Sequence, residues 1–374
     1  MWRKMKIMYK LLRNICFHRM IALAFIVVFG VVFRSLPLFA GDWQRELKTA
    51  KEQGMIFSED NRTLLKVPEK VTSVVIPSCV TAIGENAFYK CHDLSTLTIP
   101  GGVESIGKEA FLWCRRLKQI EISEGVKSIG EKAFANCRNL KKLELPVTAV
   151  EIDAEALLGV PQIILPAEHP LLQDKRTGYL TLAKAMGIEF SEDNKKLIRS
   201  PRHVTKVLIP YGVTEIGVAA FSSCFSLEEV YIPETVTEIH NKAFSLCKKL
   251  KAVKLPPRLK LLGYGAFSYC SSLREISIPG TVDTIKATAF SGCKNLRKLE
   301  IKNGVRLILH GAFSGCDSLT EVTTPRSVEF IDRMAFRCKK LKKASLHYKN
   351  DYVKNGCFKT FPDHCRIYFR RGAY

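Results

Sequence analysis

The sequence is short of everything that marks a fibrous or disordered chain. Its 23 Gly and 16 Pro in 374 residues are too few for a collagen-like or low-complexity protein. Weakly apolar, highly charged chains fail to fold, whereas this one is 47% hydrophobic and 25% charged, enough for a substantial core. The motifs of bond chemistry are missing too. There is no His-Glu-x-x-His pair, phosphate loop or Gly-x-Ser-x-Gly, and Gly263-x-Gly265 lacks the third glycine of a dinucleotide fingerprint. Histidines are scattered and the acids form no paired constellation. The expectation is a protein that is not an enzyme, with no catalytic residue, no cofactor and no metal ligand set.

Acid is absent from residues 1–40, which carry seven basic residues and an uninterrupted apolar stretch from Met20 to Phe33. Fourteen apolar residues fall short of the ~20 needed to span a membrane but fit the hydrophobic region of a secretory signal. Cleavage after Ala40 is expected, with Leu38 larger than the ideal residue at minus three. The alternative is an uncleaved signal anchor, which would be the chain's sole membrane contact. The formal charge of +22 divides unevenly: +7 in residues 1–40, +9 in 337–374 and +6 between them. A charge that first suggests nucleic acid is thus mostly a targeting segment and a basic C-terminal end.

What the chain has in abundance is repetition. Ala-Phe recurs at Ala87-Phe88, Ala110-Phe111 and Ala133-Phe134, with Ala156-Leu157 as a worn fourth copy. It returns at Ala220-Phe221, Ala243-Phe244, Ala266-Phe267, Ala289-Phe290, Ala312-Phe313 and Ala335-Phe336, and the spacing within each block is 23. One unit reads Cys91-x-x-Leu94-x-x-Leu97-x-Ile99-Pro100-x-x-Val103-x-x-Ile106-Gly107-x-x-Ala110-Phe111. Leu97-x-Ile99 alternates as a short strand does, Pro100 ends it by lacking a donor, and Val103 to Gly107 turns the chain. Ala-Phe then fills the interior opposite. A single unit cannot bury these residues, and stacked units can.

A longer repetition carries Leu47-x-x-Ala50-Lys51-x-x-Gly54-x-x-Phe57-Ser58-Glu59-Asp60-Asn61 onto Leu180 to Asn194 at an offset of 133. Since 133 is not a multiple of 23, the array restarts. The expected organisation is a signal segment 1–40, an N-terminal flank 41–56, repeat block one 57–160, an irregular junction 161–189, repeat block two 190–346 and a basic C-terminal cap 347–374. In the cap, Cys357-Phe358 is expected at a worn Ala-Phe position.

These units resemble the BspA-type (treponemal-class) bacterial leucine-rich repeat. The resemblance implies a leucine-rich-repeat solenoid: a β-rich right-handed superhelix of 23-residue repeats, with short strands in parallel sheet and turns or helical turns opposite. It also implies an extracellular or surface-exposed protein acting in adhesion, and it carries no catalytic residues. Departures from the pattern are Leu157 for Phe, Val160 for Cys, and His240 and Lys286 at the Gly position.

Nine of the thirteen cysteines fall at the repeat position: Cys91, Cys114, Cys137, Cys224, Cys247, Cys270, Cys293, Cys316 and Cys338. Equivalent positions point the same way about one rung apart, beyond the ~3.8 Å Cβ separation of a disulfide, and no zinc-type spacing accompanies them. Val160 at the same position says the site wants a small buried hydrophobe. Cys79, Cys357 and Cys365 stand outside the ladder, the last two leaving a bridge in the cap open.

Binding is encoded where packing does not fix the residue. The position after the first repeat leucine holds Lys118, Lys141, Lys251, Arg274, Arg297 and Lys342, alongside Ser95, Glu228 and Thr320, and rungs would stack these into a basic row. Glu121, Glu144 and Glu300, three columns along, partly offset it. Nucleic acid is not expected, because Tyr231 is the one aromatic residue among the variable strand positions. The expected function is surface binding of a protein or an anionic glycan or matrix partner; the alternative is a structural envelope or assembly scaffold.

Overall fold

A computed structural model of the chain describes residues 42–347 and 360–370. The signal segment and its cleavage point therefore lie outside the described residues, as does Cys357. Residues 49–374 form one unit; of residues 1–48, the described part is the beginning of helix α1, Asp42–Glu52. Among the described residues no helix is long and apolar enough to cross a membrane.

The unit is a β-solenoid. Most rungs contribute a longer strand, a two-residue strand and a turn. In the longer strands, such as Thr96–Ile99 and Gln119–Ile122, alternate residues are exposed and buried. They pair in parallel at an offset of 23, Leu97 opposite Ile120 and Ile99 opposite Ile122. The Val103 to Gly107 segment, expected only as a turn, contains a second ladder: Ser105–Ile106 pairs in parallel with Ala82–Ile83 and with Ser128–Ile129. Glycine often follows, and at some rungs the backbones approach too closely for a side chain. A β-carbon on Gly107 would lie 2.8 Å from the backbone of Gly84 and Glu85.

The Ala-Phe dipeptides make the third side. Each Phe N–H donates to the Ala carbonyl of the next rung, from Phe88 to Ala110 (2.7 Å) through Phe313 to Ala335 (2.7 Å). The rings stack with centroids 4.7 to 5.5 Å apart in two columns, Phe88 to Phe134 and Phe221 to Phe361. The chain turns here through left-handed backbone both before Ala and after Phe, as at Glu109 (φ 52°) and Trp113 (φ 67°), or Thr288 (φ 53°) and Gly292 (φ 74°).

The 133-residue repetition corresponds to a lead-in built twice. Helix α1 ends at Gly54 (φ 84°), whose N–H donates to Lys51 O while Met55 N–H reaches Ala50 O. Helix α3, Thr177–Ala185, ends the same way at Gly187 (φ 81°), with Gly187 N–H to Lys184 O and Ile188 N–H to Ala183 O. An antiparallel hairpin follows each helix, Ile56–Phe57 with Thr63–Lys66 and Glu189–Phe190 with Lys196–Arg199. Ser58 and Asp60 tie the first turn, the Ser58 hydroxyl donating to Asp60 (2.6 Å) and Arg62 N–H to the same oxygen (3.0 Å). Ser191 and Asp193 do the same in the second (2.7 and 3.0 Å).

Two expectations need correction. The junction 161–189 is not irregular throughout: Gln162–Ile164 pairs in parallel with Lys142–Glu144, and Thr205 N–H donates to Pro161 O (3.1 Å), so the long-strand row crosses the junction. The loss of the Leu-x-x-Leu spacing hid this strand. A short helix α2, Pro170–Gln173, and then α3 complete the segment, and the α3 terminus supplies the carbonyl of Ala185 to Leu157 N–H (2.9 Å). In the cap, Thr360-Phe361 takes the Ala-Phe position expected for Cys357-Phe358. Phe361 stacks on Phe336 at 5.5 Å, and Phe336 N–H donates to Thr360 O (3.1 Å). Chain inserted after Leu341 moves the register by three residues, which dipeptide likeness could not disclose.

Candidate functional site

The cysteine ladder is interior machinery, and it does more than fill space. Each thiol donates to a carbonyl of the preceding rung: Cys114 to Phe88 O (3.0 Å), Cys137 to Phe111 O (3.1 Å), Cys247 to Phe221 O (3.2 Å) and onward to Cys338 with Phe313 O (3.1 Å). Burial pushes the thiols of Cys91, Cys137 and Cys224 up to about 12, so none is a nucleophile near neutral pH. Among the described residues the nine ladder cysteines are free thiols, and so is Cys365.

The outward residues of the long strands form the exposed face. All six members of the basic row are exposed, but the structure divides them. Lys251, Arg274 and Arg297 stand on consecutively bonded rungs, Arg274 N–H donating to Lys251 O (3.2 Å) and Arg297 N–H to Arg274 O (2.8 Å). Lys118 joins Ser95 and Lys342 joins Thr320 in separate tracts, and the Lys141 ammonium turns back to Arg138 O (3.4 Å). Lys251 is not a free cation: its ammonium meets Glu228 at 2.6 Å, and that hydrogen bond holds the Glu228 carboxyl below the ordinary carboxylate range. Glu228 stood in the same column one rung earlier, so the pairing was legible. Among the described residues Arg274 and Arg297 have no ion-pair partner.

These two arginines immediately precede strands that line a surface cleft of about 790 Å³. The cleft opens where both ladders break. Residues 253–255 form no strand beyond the Glu229–Ala252 bridge, and Glu275–Ile278 pairs only forward with Lys298–Ile301. The two-residue ladder stops at Leu261–Leu262 and resumes at Thr284–Ile285. Lys254, Lys298 and Lys302 line the cleft with Glu234, Glu275 and Glu300, so its walls balance in charge and the neighbouring arginines tip the region positive. Sequence spacing could not reveal this site, because the repeat continues unbroken across the seam.

Tyr231 is 44% exposed and packs edge-on to Tyr179 of α3 at 6.2 Å. The final strand, Arg366–Arg370, adds Tyr368, paired with Ser345 on the long-strand row and 46% exposed, so Tyr231 is not alone on this face.

The family described as BspA type leucine rich repeat region matches residues 66–164, 199–290 and 260–370. Solved structures of leucine-rich-repeat proteins are similar over most of the chain. A leucine-rich repeat protein from Bacteroides ovatus is 22% identical, covering 84% of this chain and 97% of its own, with a TM-score of 0.33. A leucine rich cell surface protein from Faecalibacterium prausnitzii is 21% identical (85% and 93% covered, TM-score 0.30), and the pneumococcal vaccine antigen PcpA 17% identical (84% and 82% covered, TM-score 0.32). No curated protein matches.

Proposed function

The chain belongs to the BspA-type leucine-rich-repeat family, and from that premise we propose that it acts outside the cell, at the cell surface, as a non-catalytic adhesion protein. Its partner is a protein or anionic glycan surface of the matrix kind, gripped by the long-strand face of block two. The observation that carries this reading is the pair Arg274 and Arg297, exposed on adjacent rungs beside the cleft and, among the described residues, without acidic partners. A rigid face presents charge without reorganising to do so, which lowers the ordering cost of binding. Exposed charges of this kind govern association rate and salt dependence more than contact area does.

The test is binding of the full chain to immobilised heparin and to matrix proteins across a salt series. Binding that weakens with salt, and that falls about tenfold or more in Arg274→Glu with Arg297→Glu, supports the reading; tenfold corresponds to ~1.4 kcal/mol. Unchanged binding by that double variant removes the arginines from the site.

A further inference from the structure

The two-residue ladder of block two carries a cluster that the binding face does not use. Glu215 and Glu238 pair in parallel register on neighbouring rungs, with Ile216 and Ile239 fully buried behind them. His240 follows directly, its N–H donating to Ile216 O (2.9 Å). It occupies the repeat position held by Gly84, Gly107, Gly130, Gly217 and Gly263. Asp153, Lys286, Leu309 and Asp332 also stand there, so side chains are admitted. At His240 the side chain brings a ring nitrogen against two carboxylates: Nε2 lies 3.2 Å from Glu215 Oε2 and 3.3 Å from Glu238 Oε2.

A single N–H does not account well for both contacts. The imidazole–Glu215 contact is a hydrogen bond at 3.2 Å, longer than the ~2.7–2.9 Å of a charge-assisted one, and Glu238 is left to share the same nitrogen at 3.3 Å. A metal ion can serve all three atoms at once. Zinc binds imidazole nitrogen and carboxylate oxygen at ~2.0–2.2 Å in tetrahedral geometry, which sets ligand atoms about 3.3 Å apart. Both observed separations match that edge, and the three ligand atoms lie within 4.8 Å of one another. Charge agrees. Lys196 meets the same Glu215 Oε2 at 3.2 Å, so the two carboxylates and the ammonium sum to −1, which a dication sharing that oxygen turns to +1. The side chains are 36%, 41% and 23% exposed for Glu215, Glu238 and His240, so an ion and a completing water can reach them. Imidazole with carboxylate favours zinc-like transition metals over calcium or magnesium.

We propose that Glu215, Glu238 and His240 form a surface site for a divalent transition metal, zinc in the first instance, that clips two neighbouring rungs of block two together. Sequence spacing hides it, because its ligands sit 23 and 25 residues from Glu215.

The experiment is calorimetric zinc titration of the full chain without a polyhistidine tag, with thermal unfolding in parallel. One zinc per chain and a higher melting temperature are expected. His240→Gly, which restores the commonest residue of the repeat position, and Glu238→Gln should each weaken uptake by more than the ~10–100-fold that loss of an outer partner costs, while the metal-free proteins melt as the parent does. His240→Gln keeps a hydrogen-bonding side chain without imidazole and should bind as poorly as His240→Gly. Cobalt substitution separates this site from the cysteines, since thiolate ligation gives an intense near-ultraviolet band and nitrogen-oxygen ligation does not. No saturable uptake by the parent, uptake that survives in all three variants, or a thiolate band would each overturn the proposal.

Discussion

A regular rung and the junction solve one problem with different chemistry. In the rungs, carbonyls of the Phe turns receive thiol hydrogen bonds, and the rings stack at 4.7 to 5.5 Å. At the junction Leu157 and Val160 replace Phe and Cys, and the Phe column is interrupted. There Gly159 N–H finds no next-rung carbonyl and donates to His203 Nε2 (3.1 Å), while Leu171 N–H donates to His169 Nδ1 (3.2 Å). Both imidazoles are held below their ordinary pKa by burial, whereas the thiols are pushed upward. The rungs therefore rely on thiols that stay protonated, and the junction on imidazoles that stay neutral until the solution turns acid.

The largest expected effect tests the stack. Phe267, with Phe244 at 4.9 Å and Phe290 at 5.5 Å on its two faces, should cost about 3–5 kcal/mol as Phe267→Ala, and Leu157→Ala about 2–3 kcal/mol. Chemical denaturation ranks them, and an equal or larger loss at Leu157 would show that the column adds nothing to a rung. Gly178→Ala probes the junction from within. A β-carbon there would collide with the Leu171 carbonyl where α2 meets α3, and a loss of about 1–3 kcal/mol is expected from the same unfolding curve.

Acid comes next. With folded-state pKa values below the unfolded ~6.5, His169 and His203 contribute stability that is present above pH 6.5 and is lost as pH falls through 6.5 toward the lower folded values. Hydrogen exchange at falling pH should therefore open residues 157–188 before 244–313, and uniform loss of protection would erase the contrast. A smaller effect is expected of Cys270→Val, about 0.5–1.5 kcal/mol, because Phe244 O keeps the Cys247 N–H (3.3 Å) when it loses the thiol. Smallest is Arg274→Glu with Arg297→Glu, each within about 0.5 kcal/mol in stability as exposed side chains; a larger loss would mean they hold the fold.

Much of the rung was legible because its constraints recur. Ala-Phe, Cys, and Leu-x-Ile are each fixed by the neighbour above and below, so the pattern survives single departures such as Leu157. What escaped were features that packing does not repeat. Ser105–Ile106 is too short to show a strand period, and Gln162–Ile164 lost its flanking leucines. Thr360-Phe361 lies beyond an insertion that spacing alone misplaces. On the long-strand face, the exposed basic column could be read, and Glu228 could have been matched to Lys251. The cleft beside Arg274 could not, since a broken hydrogen-bond ladder leaves no mark on apolar periodicity.

The thiol ladder has a further consequence. Each sulfur is reduced, enclosed and already committed to a carbonyl one rung back, so the array neither waits for an oxidant to fold nor gains a cross-link by meeting one. A chain refolded with dithiothreitol and one refolded in air should reach the same core. That is indifference to redox environment, written into the column most easily mistaken for a disulfide framework.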